Sequence, residues 1–237
     1  MSTLYGNTLL LYHGARNTLG KILFLYIVFP LMAAWFAVGL IFDLPAGIFI
    51  QISVPVYINI AIVPITGFKS LYPVAVGMGS TRVNFLKAYY GTVLGAVFFT
   101  IFLLNVCQYV MLIGYNRWII SANIVHPAAL FSADYQFIPY FWVDLMVGLF
   151  LYGFTFLIYC LWYRLGSARM LITLTVVIIS GLFLYYGGVL ESWFTWIWLN
   201  VKPMNAFILI GIIGLVALFS TYPLMRNAPL QPNSGKN

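Results

Sequence analysis

Charge is what this chain has least of: among 237 residues there are 11 Lys or Arg, four Asp or Glu and two His, so only 6% of the sequence is charged. A soluble domain carries about a quarter of its residues as charges, and a chain this poor in them cannot clothe a water-facing surface. Cysteine is almost as scarce. Cys107 and Cys160 both fall within apolar runs, where a free cysteine behaves as a small hydrophobe, and no disulfide framework can be built on them. No period of roughly 20–50 residues repeats, no inverted duplication is visible, and no segment reads as an extramembrane domain. A phosphate loop is missing too. "GARNTLGKI", Gly14 to Ile22, resembles one only faintly: five residues separate Gly14 from Gly20 where the motif needs four, and Ile22 stands where Ser or Thr would hold magnesium.

What is present is apolar. Hydrophobic residues make up 63% of the chain and aromatics 19%, with a mean hydropathy of +1.01. Uncharged runs of about 20 residues are long enough to cross a bilayer core of ~30 Å as helices, and the alternating pattern of a membrane barrel is absent. The expected class is all-α, a polytopic membrane protein with six spans at about 22–42, 46–66, 88–113, 139–163, 170–190 and 204–223. Arg16 and Lys21 precede the first span as in a signal peptide, but the apolar run is too long for one, so the span is expected to be retained.

Orientation follows from the basic residues. With both termini cytoplasmic, Arg16, Lys21, Lys69, Arg82, Lys87, Arg164, Arg169, Arg226 and Lys236 lie inside, and only Arg117 and Lys202 lie outside. The acids Asp43, Asp134, Asp144 and Glu191 all fall outside. The net charge of +7 then reads as an orientation signal and an attraction to anionic membrane lipid, with no nucleic-acid partner.

Between the spans the chain is punctuated. Residues 1–20 are expected to hold a helix lying in the inner membrane interface, since Leu4, Tyr5, Thr8, Leu11, Tyr12 and Ala15 recur at three-to-four spacing. A tight outer turn is expected around Asp43–Pro45, and residues 115–138 should lie along the outer interface. Residues 187–203, with Trp193, Trp196 and Trp198, suggest one or two short helices dipping into that interface, and residues 224–237 a mobile tail. Pro30, Pro55 and Pro64 predict kinks in the first two spans, and Gly91 with Gly95 a place where another helix approaches closely.

Candidate chemistry is thin. His13 and His126 fall on opposite sides of the membrane, so they share no metal; His126, Asp134 and Asp144 could meet at the outer face, though without recognisable ligand spacing. No nucleophile with a positioned base is apparent, so no catalytic activity is expected in the chain itself. Asp144 lies near the outer end of its span and has two readings: a substrate or proton site, or an interfacial carboxylate beside Tyr140 and Trp142. Glu191 is the other acid on the possible substrate path or outer face.

The inner segment 67–87, "GFKSLYPVAVGMGSTRVNFLK", is the most particular. Phe68, Leu71 and Val74 suit a short helix flat against the membrane, Gly77 and Gly79 break it, and Ser80 or Thr81 can cap the next helix ahead of Arg82. A basic residue at the inner end of a span also needs no reason beyond anchoring it. With "AYYGTVLG" after it, this stretch resembles the link between the second and third spans of ABC-2 type exporter permeases, where a coupling helix precedes a Gly-x-Thr-Arg-x-x-Phe-like turn, here Gly79, Thr81, Arg82 and Phe85. The resemblance implies that Phe68, Lys69, Leu71, Tyr72, Gly77, Gly79, Thr81, Arg82 and Phe85 form an interface with a cytoplasmic ABC ATPase dimer, which would hold the ATP and magnesium. It also implies a second permease subunit, the same chain or another, and an amphiphilic substrate such as a peptide, lipid or drug. The chain itself would need no cofactor, and its place would be the bacterial cytoplasmic membrane. The outer segment 115–138 is longer than the resemblance leads one to expect. The alternative is a stand-alone carrier or scaffold with no ATPase partner.

Overall fold

Apolar segments that cross a bilayer must satisfy their backbone hydrogen bonds internally, and a helix does so within one segment. In the computed structural model, which describes residues 3–42, 44, 47–119, 121–130 and 135–229, the chain is helical nearly throughout. Six helical stretches are long and apolar enough to span a membrane: Leu4–Ile41, Ser53–Gly77, Arg82–Trp118, Phe137–Leu165, Ser167–Tyr186 and Pro203–Met225. The protein is therefore all-α and multi-pass. The Asp43–Pro45 turn lies largely outside the described residues, as does the tail from residue 230 onward.

The first span departs from expectation. α1 (Thr3–Ala15) continues without a break into a π-type segment, Arg16–Val28, and then into α2 (Phe29–Ile41). The separate interfacial helix over residues 1–20 is thus corrected to the first third of one long rod. Gly6 and Gly14 weaken a helix in water by about 1 kcal/mol each, but α1 is supported from the side, with Asn7 and Leu11 buried against its neighbours. The wide turns end where Phe29 donates its N–H to the Phe24 carbonyl and Pro30, lacking an N–H, follows.

The rod runs parallel to α4 (Arg82–Trp118), whose 37 residues extend about 55 Å at 1.5 Å per residue. At one end Asn7 Nδ2 donates to Ser80 Oγ at 2.6 Å; at the other, the Phe36 and Tyr115 rings pack at 5.3 Å and Tyr115 donates to the Trp35 carbonyl. α3 (Ser53–Gly77) begins later than the 46–66 reading because residues 48–50 form β1 (Ile48–Ile50), which pairs in parallel with β2 (Ala122–Ile124). The register sets Ile48 against Ala122 and Ile50 against Ile124. Residues 121–130, expected along the outer interface, are caught up in this pairing. The pairing draws them inward, burying Ala122, Ile124, His126 and Ala128.

α3 also runs on past residue 67 to Gly77, absorbing the stretch expected to lie flat as its own helix. Pro64 and Pro73 sit within it without ending it. The break comes at the turn, where Gly79 has φ +88, and Thr81 caps α4 by accepting the Asn84 N–H at 3.2 Å. Because a Cβ at Gly79 would meet no atom within 4 Å, only its backbone conformation demands glycine. Gly79→Ala is expected to lower stability by about 1 kcal/mol, while Gly77→Ala, in helical backbone and equally open, does not; thermal unfolding in detergent separates them.

α5 (Phe137–Leu165) and α8 (Pro203–Met225) form the tightest seam, closing through Gly153 and Gly214. α6 (Ser167–Tyr186) is the opposite case: every residue from Leu171 to Ser180 is exposed, and the helix rests mainly on α5 and on α7 (Val189–Asn200), to which it is joined. α7 is a single short helix in the tryptophan-rich segment. Cys107 and Cys160 are both buried and free, Cys160 within the principal hydrophobic cluster.

Candidate functional site

Two places combine unusual residues with unusual geometry. The first is built on Asp144, fully buried in the second turn of α5. A lone carboxylate in an apolar interior is expensive to keep charged unless donors surround it, and here three converge. His126 Nε2 lies 2.5 Å from Asp144 Oδ1, the Tyr57 hydroxyl donates to the same oxygen, and Asn105 Nδ2 donates to Oδ2 at 2.9 Å. Each donor comes from a different element. Tyr57 is on α3, Asn105 on α4, and His126 on the loop that β2 draws inward.

The histidine is fixed on both sides. Its Nδ1 accepts the Ala128 N–H at 2.9 Å, which places the ring proton on Nε2, facing the carboxylate. The Tyr140 ring stacks on the imidazole with centroids 4.3 Å apart. Tyr135 covers the cluster, donating to the Asn105 carbonyl at 3.2 Å; burial first, and the Asp144 charge second, push its phenol above the ordinary value, so it serves as a neutral donor. On the same face of α4, Asn105 Oδ1 and both polar atoms of the Gln108 amide are buried without a hydrogen-bond partner.

Asp144 is thus buried within the protein rather than displayed on its surface: Tyr140 is beside it and stacks on His126, and Trp142 is half exposed elsewhere on the helix. His126 does meet Asp144, as the outer-face reading allowed, while Asp134 lies outside the described residues. Sequence reasoning missed Tyr57 and Asn105, which are unremarkable letters inside apolar runs. Glu191 sits apart, exposed in the first turn of α7, where a negative charge suits the helix N-terminus. The cluster can hold a proton or a small cation and can tie four elements together; it offers no nucleophile.

The second place is the joint between α3 and α4, and the structure divides its residues into two groups. Phe68, Tyr72 and Phe85 are buried. Phe68 stacks on Tyr72 at 4.7 Å and meets the rings of Phe85, Tyr89, Phe156, Tyr159 and Tyr163 edge-on or tilted, at 5.3 to 6.3 Å. Lys69, Gly77, Gly79 and Thr81 are exposed, with Leu71 and Arg82 half-buried. The segment just after α8 is tied to the same region, Tyr72 donating to the Ala228 carbonyl at 3.4 Å and Tyr163 to the Pro229 carbonyl at 2.9 Å. The exposed residues form a basic lip, and the aromatic group locks that lip to α5.

Comparison with known proteins found no family model, no curated protein and no solved structure that matches the chain.

Proposed function

We propose that this multi-pass membrane protein is the membrane subunit of an ABC-2 type exporter, moving an amphiphilic substrate on energy from a separate ATPase dimer. The observation that carries the reading is the joint between α3 and α4: a sharply turned lip bearing the exposed Lys69 and the half-buried Arg82, backed at once by the ring cluster of Phe68, Tyr72, Phe85 and Phe156. A surface meant only to anchor a span needs basic residues, but it does not need its turn locked to a third helix. In this reading the basic end faces the cytoplasm and the ATPase docks on the exposed lip. Phe68, Tyr72 and Phe85, being buried, act as the stiff coupling behind it rather than as docking residues. Close packing passes a displacement on because interior side chains have no room to absorb it. From the ring cluster it reaches α5, and from α5 it reaches α8 through the Gly153–Gly214 contact. The exposed α6 is the face on which a second permease subunit packs.

The test is affinity purification of the tagged chain in mild detergent beside an Arg82→Glu variant. An ATPase is expected to accompany the parent, with recovery falling roughly tenfold or more in the variant through like-charge or lost-charge contact. Absence of any ATPase from both preparations, including chemically cross-linked ones, would sink the exporter reading.

One observation favours the alternative, a stand-alone carrier. A buried carboxylate held by His126, Tyr57 and Asn105 is the kind of group an ion-coupled carrier uses. Uptake into vesicles containing the purified chain alone, driven by a pH gradient and lost in Asp144→Asn, would decide for that reading.

A further inference from the structure

The α4 glycines read as a helix-packing pair do not pack against anything. A Cβ added at Gly91 or at Gly95 would meet no atom within 4 Å. Instead the two glycines line a groove of about 880 Å³ between α1 and the first half of α4, within the roughly 300–1,000 Å³ typical of sites for small organic ligands. Leu9 and Tyr12 of α1 and Phe99 of α4 wall it with apolar surface, and all three side chains are largely exposed.

Two cations stand in the same lining, Arg16 and Lys87. Both are exposed, and neither makes an ion pair with an acid among the described residues. Arg16 is held with its guanidinium over the Tyr12 ring at 5.8 Å, which keeps the charge beside the apolar wall. A helix from a second copy of this chain would fill the apolar part and leave the cations unanswered. The chain's four acids are Asp43, Asp134, Asp144 and Glu191, and none is close in sequence to this end of α1 or α4. The complementary occupant has an apolar tail and an anionic head.

We propose that the groove binds an anionic phospholipid of the surrounding leaflet, with an acyl chain over Gly91 and Gly95 and its phosphate at Arg16 and Lys87. The site depends on neither an ATPase partner nor a direction of transport, so it stands or falls apart from the exporter reading.

The full chain, purified in mild detergent, is equilibrated with mixed micelles of phosphatidylglycerol and phosphatidylcholine carrying identical acyl chains, and retained lipid is counted by native mass spectrometry. One phosphatidylglycerol per chain is expected, preferred roughly 30-fold, as two basic residues near a membrane surface contribute. Arg16→Gln with Lys87→Gln should bring the preference close to one. Gly91→Leu with Gly95→Leu, whose Cβ atoms meet nothing within 4 Å and whose side chains project into the groove, should remove the retained lipid of either kind. Equal retention of both lipids by the parent overturns the proposal, as does a preference that survives the charge substitutions. If the leucine variant keeps its lipid but changes from dimer to monomer, the groove is a seam between copies and the proposal also fails.

Discussion

Asp144→Ala is expected to lower the thermal unfolding midpoint in mild detergent by about 10 °C, the equivalent of roughly 3–5 kcal/mol for a chain of this size. The substitution removes the one acceptor to which His126 Nε2, Tyr57 and Asn105 all donate, in a place no water-facing side chain can reach. Each donor left unsatisfied costs on the order of 1–3 kcal/mol, and the three losses do not add because the freed groups share one cavity. Asp144→Asn keeps the shape but turns one acceptor into a donor, so it should lose about half as much. His126→Ala in the Asp144→Ala background should add little, since the partner is already gone. Limited proteolysis supplies a second readout. With His126 released, the 121–130 segment loses its polar tie to α5, keeping the short β1–β2 pairing, the Ala122–Asn116 hydrogen bond and the packing of Ala128, and should be cut faster. Glu191→Gln, on the exposed first turn of α7, serves as the control and should change neither measurement. An Asp144→Ala protein with the parent's midpoint and cleavage rate would show that the cluster is not what holds the 121–130 segment.

The second large effect is expected at the α5–α8 seam. A Cβ at Gly214 would lie 2.6 Å from both the Leu149 carbonyl oxygen and the Phe150 nitrogen, and one at Gly153 would land on the Gly214 carbonyl oxygen. The obstacles are backbone atoms of a helix, so no rotamer change relieves them. Gly214→Leu must push the helices apart, at a cost of about 3 kcal/mol or more, the upper end for overpacked interiors. Cys160, buried on the same α5 helix, reports the opening: its reaction with a maleimide under native conditions should rise from near zero. Gly181→Leu is the matched control. It makes the same change on α6, where a new Cβ meets nothing within 4 Å, and should leave stability and labelling alone. Equal behaviour of the two leucine variants would mean that α5 and α8 do not meet as described.

These two effects rest on information of different kinds. Asp144 was visible in the sequence as one of four acids, since a carboxylate inside an apolar run is conspicuous by composition alone. Its partners were not. Tyr57 is 87 residues away and Asn105 is 39, and nothing in a run of apolar and aromatic residues marks either as facing a charge. The glycines make the same point in reverse. Gly91 with Gly95 forms the sequence pattern associated with close helix approach and faces open space, while Gly153 and Gly214, in no such pattern with each other, touch.

By itself the sequence determined the class and the number of apolar segments long enough to span, and it narrowed the break to Gly77 and Gly79 and the cap to Ser80 or Thr81, of which the structure uses Gly79 and Thr81. Each of these depends on contiguous residues: the hydropathy of some 20 in a row, the conformational freedom of one glycine, the reach of one hydroxyl to an N–H three residues on. Only the tertiary structure decided that α1 and the first span are one rod, that α3 continues to Gly77, and that residues 121–130 turn inward to bring His126 to Asp144. The physical reason lies in the solvent. In water, the apolar stripe of a helix shows which face is buried; in a bilayer the outward face is as apolar as the inward one, so the rotation of each helix, and with it every contact between distant residues, leaves no periodic mark in the sequence.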